Sequence, residues 1–281
     1  MASADLPRRV GIVGLGLMGG SVARALKALD PPPRIVGFTR DASDAQTAVR
    51  EGIIDQVAAD PAEAVVDQDL VVYAAPLRVV VDLMATHGEL TGDAMITDVV
   101  GLKGPLLEQA RASGFADRYV GAHPMVGGTG SGFSTSTEGL FVDRTVWMVA
   151  GDASEDRVEY VTNLWRSLGA RTRAITAAEH DRSMVWASHL PQLVATALAR
   201  VLSAQGLEAS DLGAGGLDMT RLAMSSSEMW NDLLEASGAS DAMALGALQD
   251  ELTLMQLALK QGGGEAVGDM MDQIRTWRED A

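Results

Sequence analysis

His123 lies in the run Val120-Gly121-Ala122-His123-Pro124-Met125-Val126-Gly127-Gly128. Mostly apolar residues lead up to an imidazole, a proline fixes the backbone after it, and glycines follow where little else fits. That pattern suits a histidine held at the end of a strand facing a cleft. A satisfied loop histidine would read the same way, so the flanking sequence carries the weight. Upstream stands Gly14-Leu15-Gly16-Leu17-Met18-Gly19-Gly20-Ser21, a glycine spacing suited to the pyrophosphate of a dinucleotide. Downstream, glycines 213, 215 and 216 precede a helical stretch bearing Arg221, a candidate clamp for a substrate carboxylate. The alternative for Arg221 is an ion pair with an acidic neighbour such as Asp218.

The elements that must position these groups follow from local pattern. Residues 9–14 form a short apolar strand, and residues 22–29 a helix, with the glycines between them. Gly14 allows the tight turn, Gly16 lets the backbone approach a pyrophosphate, and Gly19 lets the helix pack close. Leu17 and Met18 open the helix whose free N–H groups would face the phosphates. A second strand, 34–38, ends at Thr39-Arg40-Asp41. A carboxylate that would bond a ribose 2′-hydroxyl is missing at the expected position, and Thr39 with Arg40 suits a 2′-phosphate, so NADP is favoured and NAD remains possible. Asp41 comes one position late, and Arg40 has the alternative of a solvated surface charge. Residues 69–76 read as a buried strand ending in a cofactor-side loop at Ala75-Pro76.

Further strands are expected at 94–98, at 119–122 delivering His123, and at 145–150 and 171–175, the last two around a helix at 155–168. Glycine, serine and threonine dominate 127–139, which reads as an active-site loop. Beyond residue 176 strand patterns vanish and apolar residues recur at helical spacing, broken at Gly206, Gly213–Gly216, Gly238 and Gly262–Gly264. The expected fold is an N-terminal α/β dinucleotide-binding domain of the Rossmann type over 1–175, followed by an all-α domain over 176–281. On one continuous helix, His180 and His189 would stand on opposite sides.

Composition narrows the partners. The chain has 281 residues, a formal charge of −16, a sequence pI near 4.5 and no cysteine. Such a field repels a nucleic-acid backbone, while a few local arginines still serve a small anion. No run approaches a membrane span, the N-terminus lacks a signal-peptide core, and a cytoplasmic location is expected. No metal is expected, because the four histidines are scattered and lack ligand spacing.

The longer motifs resemble the prephenate/arogenate dehydrogenase family, the oxidoreductases of tyrosine synthesis. The likeness runs nearly end to end: the glycine turn at 14–21, Thr97-Asp98 through Lys103, Gly121-Ala122-His123-Pro124-Met125, His180-Asp181-Arg182, Ser188-His189-Leu190-Pro191, Thr220-Arg221-Leu222-Ala223 and Met229-Trp230. The resemblance implies a Rossmann domain joined to a helical domain that forms a homodimer, with the site between them. It implies NAD(P)-dependent oxidative decarboxylation of prephenate or arogenate, with hydride leaving C4 for the nicotinamide as carbon dioxide is lost. By resemblance His123 bonds the 4-hydroxyl, Lys103 joins it as a catalytic residue, and Arg221 binds a carboxylate. Ser188, His189, Gln192 and Thr129 are placed around the substrate.

Four departures bear on that expectation. Gly101 stands where the family usually has a serine that orients the histidine, so either water or a backbone carbonyl takes its place or the chemistry is altered. Thr129 and Gly130 replace charged residues, Gln192 replaces a common histidine, and Leu217 an occasional lysine. Neutral Gln192 offers no carboxylate to the ammonium of arogenate, which favours prephenate. A related ring acid such as 4-amino-4-deoxyprephenate, or a nucleotide-binding protein without catalysis, is the alternative.

Overall fold

The computed structural model describes residues 6–127, 130 and 132–279. The N-terminal half is built on five parallel strands in the order β3-β2-β1-β4-β5. These are β1 (Arg9–Val13), β2 (Arg34–Phe38), β3 (Gln56–Val57), β4 (Leu70–Tyr73) and β5 (Met95–Asp98). Four helices belong to it: α1 (Leu17–Lys27), α2 (Ala42–Arg50), α3 (Leu77–His87) and α4 (Gly104–Ala112). Alternation along the strands fills both faces, as a parallel sheet requires. Val10, Ile12, Leu70 and Val72 pack with Val22 and Leu26 of α1. Val13, Val71 and Tyr73 pack with Val80 and Met84 of α3 and Leu106 of α4.

A second, three-stranded sheet follows: β6 (Gly121–Pro124), β7 (Thr145–Val149) and β8 (Arg171–Ala174), with α5 (Glu155–Ser167) crossing between the last two. β6 runs antiparallel to β7, and β7 parallel to β8. The new sheet joins the first where Val120 N–H donates to the Ile96 carbonyl at 2.9 Å and the Thr97 hydroxyl donates to the Val120 carbonyl at 2.7 Å. His123 therefore lies inside β6, paired with Trp147, and not just beyond a strand ending at Ala122. Register against β7 extends the strand through Pro124, whose missing N–H is tolerated at its end.

From Thr176 the chain is helical. Thr176 and Glu179 form a reciprocal capping box that starts α6 (Ala177–Met184). A π-helical turn, Val185–His189, leads into α7 (Leu190–Ala204). The short α8 (Ala214–Thr220), the long α9 (Ser227–Lys260) and α10 (Gly264–Glu279) complete the chain. The break expected at Gly238 does not occur, since α9 runs through it. A lone glycine costs a helix only about 1 kcal/mol, too little to end one of 34 residues. Nor do α6 and α7 form the regular helix that would hold His180 and His189 on opposite sides. The wider π turn changes the phase between them, and both rings are buried. Among the described residues, no helix is long and apolar enough to cross a membrane.

Candidate active site

The turn from β1 into α1 has the geometry a dinucleotide needs. Gly14 adopts φ of 105°, and a methyl on Gly19 would lie 1.8 Å from the Gly14 carbonyl oxygen, so both glycines are dictated by the turn itself. Gly16 differs. Its φ of −81° suits any residue, yet a methyl there would meet nothing within 4 Å. The space above it is open, the α1 N-terminus carries no side-chain cap, and no acidic residue stands in its first turn. Unsatisfied N–H groups beside free space fit a phosphate. Leu17 and Met18 supply the first N–H groups of that helix, and Ala75-Pro76 follows β4 on the same sheet edge.

At the end of β2, Asp41 caps α2, accepting from the Ser43 and Asp44 N–H groups at 2.8 and 3.2 Å. The Thr39 hydroxyl accepts weakly from Asp41 N–H at 3.4 Å. Arg40 is not a solvated lone charge. It reaches Glu228 at the start of α9 at 3.1 Å, and both side chains are exposed.

His123 is half-buried on β6. Beneath it Lys103, fully buried, pairs with the Asp98 carboxylate and donates to the Ala122 carbonyl at 2.7 Å. Asp98 also accepts from the Tyr119 hydroxyl and the Val100 N–H, each at 2.7 Å. This cluster pins the residue immediately before His123, and it leaves the Lys103 ammonium facing the protein interior.

The second partner of the histidine is neither water nor a backbone carbonyl. His123 Nδ1 lies 2.9 Å from His180 Nε2, and His180 Nδ1 lies 2.7 Å from Asp181 Oδ1. Asp181 further accepts from the backbone N–H of Lys103 and of Gly104, both at 2.8 Å. Burial pushes the Asp181 carboxyl up, but the bonds from His180 and these two N–H groups outweigh it and hold it below the usual range. Burial first, then the Lys103 charge, holds the His123 imidazole well below its ordinary value. Its Nε2 has no hydrogen-bond partner among the described residues.

The helical half contributes the remaining expected groups. Ser188 is half-buried on the π turn. His189 is buried, bonded through Nδ1 to Asp241 at 3.0 Å and to the Ser237 hydroxyl at 3.1 Å, with its ring edge-on to Trp230 at 5.5 Å. Gln192 is committed to its own chain. Its amide nitrogen donates to the Leu222 carbonyl at 2.8 Å and its oxygen accepts from the Ser225 hydroxyl at 3.1 Å. It therefore holds the turn Arg221–Met224 in place. Arg221, at the head of that turn, is exposed and forms no ion pair among the described residues, with Asp218 or any other acid. Thr129 lies outside the described residues.

Sequence reasoning set His180 and Asp181 in a matching motif but gave them no role. Adjacency of an acid and a histidine just after a capping box was the available hint. Their target, 57 positions away, was not visible.

Residues 22–174 match the family model described as prephenate dehydrogenase, nucleotide-binding domain. Residues 176–273 match the one described as prephenate dehydrogenase, dimerization domain. The chain is 31% identical over 231 residues to prephenate dehydrogenase of Bacillus subtilis, covering 79% of this chain and 62% of that one. It is 30% identical over 236 residues to prephenate dehydrogenase of Lactococcus lactis, covering 81% and 64%. It thus spans less than two thirds of the length of either relative. A crystal structure of prephenate dehydrogenase from A. aeolicus, in complex with hydroxyphenyl propionate and NAD+, superposes with a TM-score of 0.88 at 24% identity, over 97% of this chain and 98% of that one. That likeness is one of fold.

Proposed function

This chain belongs to the prephenate dehydrogenase family, and from that premise we propose that it is an oxidoreductase converting prephenate to 4-hydroxyphenylpyruvate with a nicotinamide dinucleotide. The supporting observation is a neutral imidazole with one ring nitrogen engaged and the other bare, in the same domain as an open glycine cradle.

Bound at Gly14, Gly16, Leu17, Met18 and Gly19, the dinucleotide would supply the hydride acceptor. His123 Nε2 takes the proton of the 4-hydroxyl as C4 is oxidised, which avoids building a full positive charge on the substrate oxygen. Departure of the ring carboxylate as carbon dioxide leaves the bonding electrons in the ring, and His123 returns its proton to the resulting phenolate. Arg221 offers an unpaired guanidinium for a substrate carboxylate. Lys103 serves from below by fixing Ala122, and Ser188 and His189 line the helical side.

NADP is the favoured cofactor over NAD. Asp41 is occupied as a helix cap, and the exposed Arg40–Glu228 pair is worth about 1 kcal/mol or less, so a 2′-phosphate can displace it. Prephenate is favoured over arogenate because Gln192 is neutral and committed elsewhere. The chain acts as a homodimer through its helical half.

Steady-state rates on prephenate and arogenate, each with NAD and NADP, test this. We expect reduced-nicotinamide absorbance to rise fastest with prephenate and NADP. The acid limb of kcat/KM should lie below 6.5, because a depressed His123 stays neutral until more acid is added. His123→Asn should lower kcat by about 10²–10⁴-fold with cofactor affinity retained. Unchanged turnover in that variant, or none by the wild type on any pair, overturns the assignment.

A further inference from the structure

We propose that His180 and Asp181 are positioning residues that set the working tautomer of His123 from the helical half of the chain, doing by an imidazole–carboxylate pair what no side chain at Gly101 can do. The assignment rests on reading His123 as the base.

Proton accounting along the chain of contacts gives the direction. Asp181 accepts from two backbone N–H groups, Lys103 at Oδ1 and Gly104 at Oδ2, each at 2.8 Å. These bonds hold it ionised, so it has no proton to donate. His180 Nδ1, 2.7 Å away, must then carry the hydrogen between them. With its hydrogen on Nδ1, His180 presents a lone pair at Nε2, and His123 Nδ1 at 2.9 Å is the donor. That leaves His123 Nε2 bare, the form able to accept a proton from substrate. Reversing the order, with His180 donating, would put the hydrogen on His123 Nε2 and disable it as a base.

Two structural facts make the pair more than packing. The carboxylate sits at the N-terminus of α4, whose Lys103 and Gly104 N–H groups are otherwise unsatisfied, so the pair has a rigid foundation. At Gly101, an added Cβ would meet only Leu233 at 3.4 Å, an ordinary contact. The fold has room for a small side chain there, and the orienting bond comes from His180 instead.

Ring-nitrogen NMR of the unliganded protein, by long-range 1H–15N correlation near neutral pH, reads the tautomers directly. We expect His123 as the Nδ1–H form in the wild type and a mixture in His180→Phe, which keeps a ring but accepts nothing. In parallel His180→Phe should lose about 10- to 100-fold in kcat, within the range a positioned base contributes, with KM changed less than about threefold. His180→Gln, whose amide oxygen can accept from His123, should keep most of the activity, which separates the bond from a general loss of structure. A wild-type His123 protonated on Nε2, or His180→Phe with unaltered tautomer and kcat, overturns the proposal. Should the tautomers behave as expected while the wild type oxidises none of the substrates, the positioning stands and the dehydrogenase reading falls.

Discussion

A buried lysine is an expensive residue, and Lys103 is completely enclosed. Its ammonium is tolerated because the Asp98 carboxylate and the Ala122 carbonyl take its hydrogens. Removing one member of such a pair leaves the other charged and dry, at about 3–5 kcal/mol. We expect Lys103→Met to lose that much in urea unfolding, and the Asp98→Asn, Lys103→Met double variant to lose less than the sum. A lysine acting directly on substrate would instead show its loss mainly in kcat, with stability close to wild type. Asp181 carries a related signature. Its carboxyl is depressed on folding, so the stability it contributes is present above the ordinary carboxylate range and fades as pH falls through its lowered value.

At the scale of elements, the β1–α1 turn separates the glycines needed by the fold, Gly14 and Gly19, from Gly16, which the turn itself does not require. Gly19→Ala would press a methyl 1.8 Å from the Gly14 carbonyl, so the turn must shift, and thermal melting should show a large loss. Gly16→Ala occupies empty space and costs at most about 1 kcal/mol as a poorer N-cap. Its dinucleotide affinity should still fall at least tenfold by calorimetry, because the methyl stands where the pyrophosphate would approach. Equal dinucleotide affinity in Gly16→Ala and wild type would remove the cradle from that turn.

For the whole molecule, the telling feature is what α9 and α10 leave uncovered. A helix of 34 residues extends about 50 Å, and only Leu233, Asp241 and Ala244 are buried on it. Met243, Leu252, Leu257, Leu259, Met271 and Trp277 are exposed in the single chain. Apolar surface on that scale calls for a partner, and the family's dimerization domain spans 176–273. Light scattering should give a dimer, with a melting temperature that rises with protein concentration. Leu252→Glu with Leu259→Glu should give monomer or aggregate. A wild-type monomer at micromolar concentration would end the dimer assignment.

The amino-acid order alone carried the fold class, because its signals are local: a glycine turn between a strand and a helix, alternation that fills both faces of a sheet, and the switch to helical spacing near Thr176. It also placed His123, Arg221 and the glycines of the β1–α1 turn in motifs whose family is recognisable. It could not supply their partners. Whether Arg221 would pair with Asp218 and what Gln192 would bond depend on packing within the helical half, and which group would meet His123 Nδ1 depends on how the two halves dock. Gly238 failed as a break for the same reason, since a helix end is decided by the balance over the whole helix and not by one residue. Only packing α6 against the N-terminus of α4 brings Asp181 to two free N–H groups and His180 to His123. Hydrogen bonds act over about 3 Å in space, and sequence separation says nothing about which groups come that close.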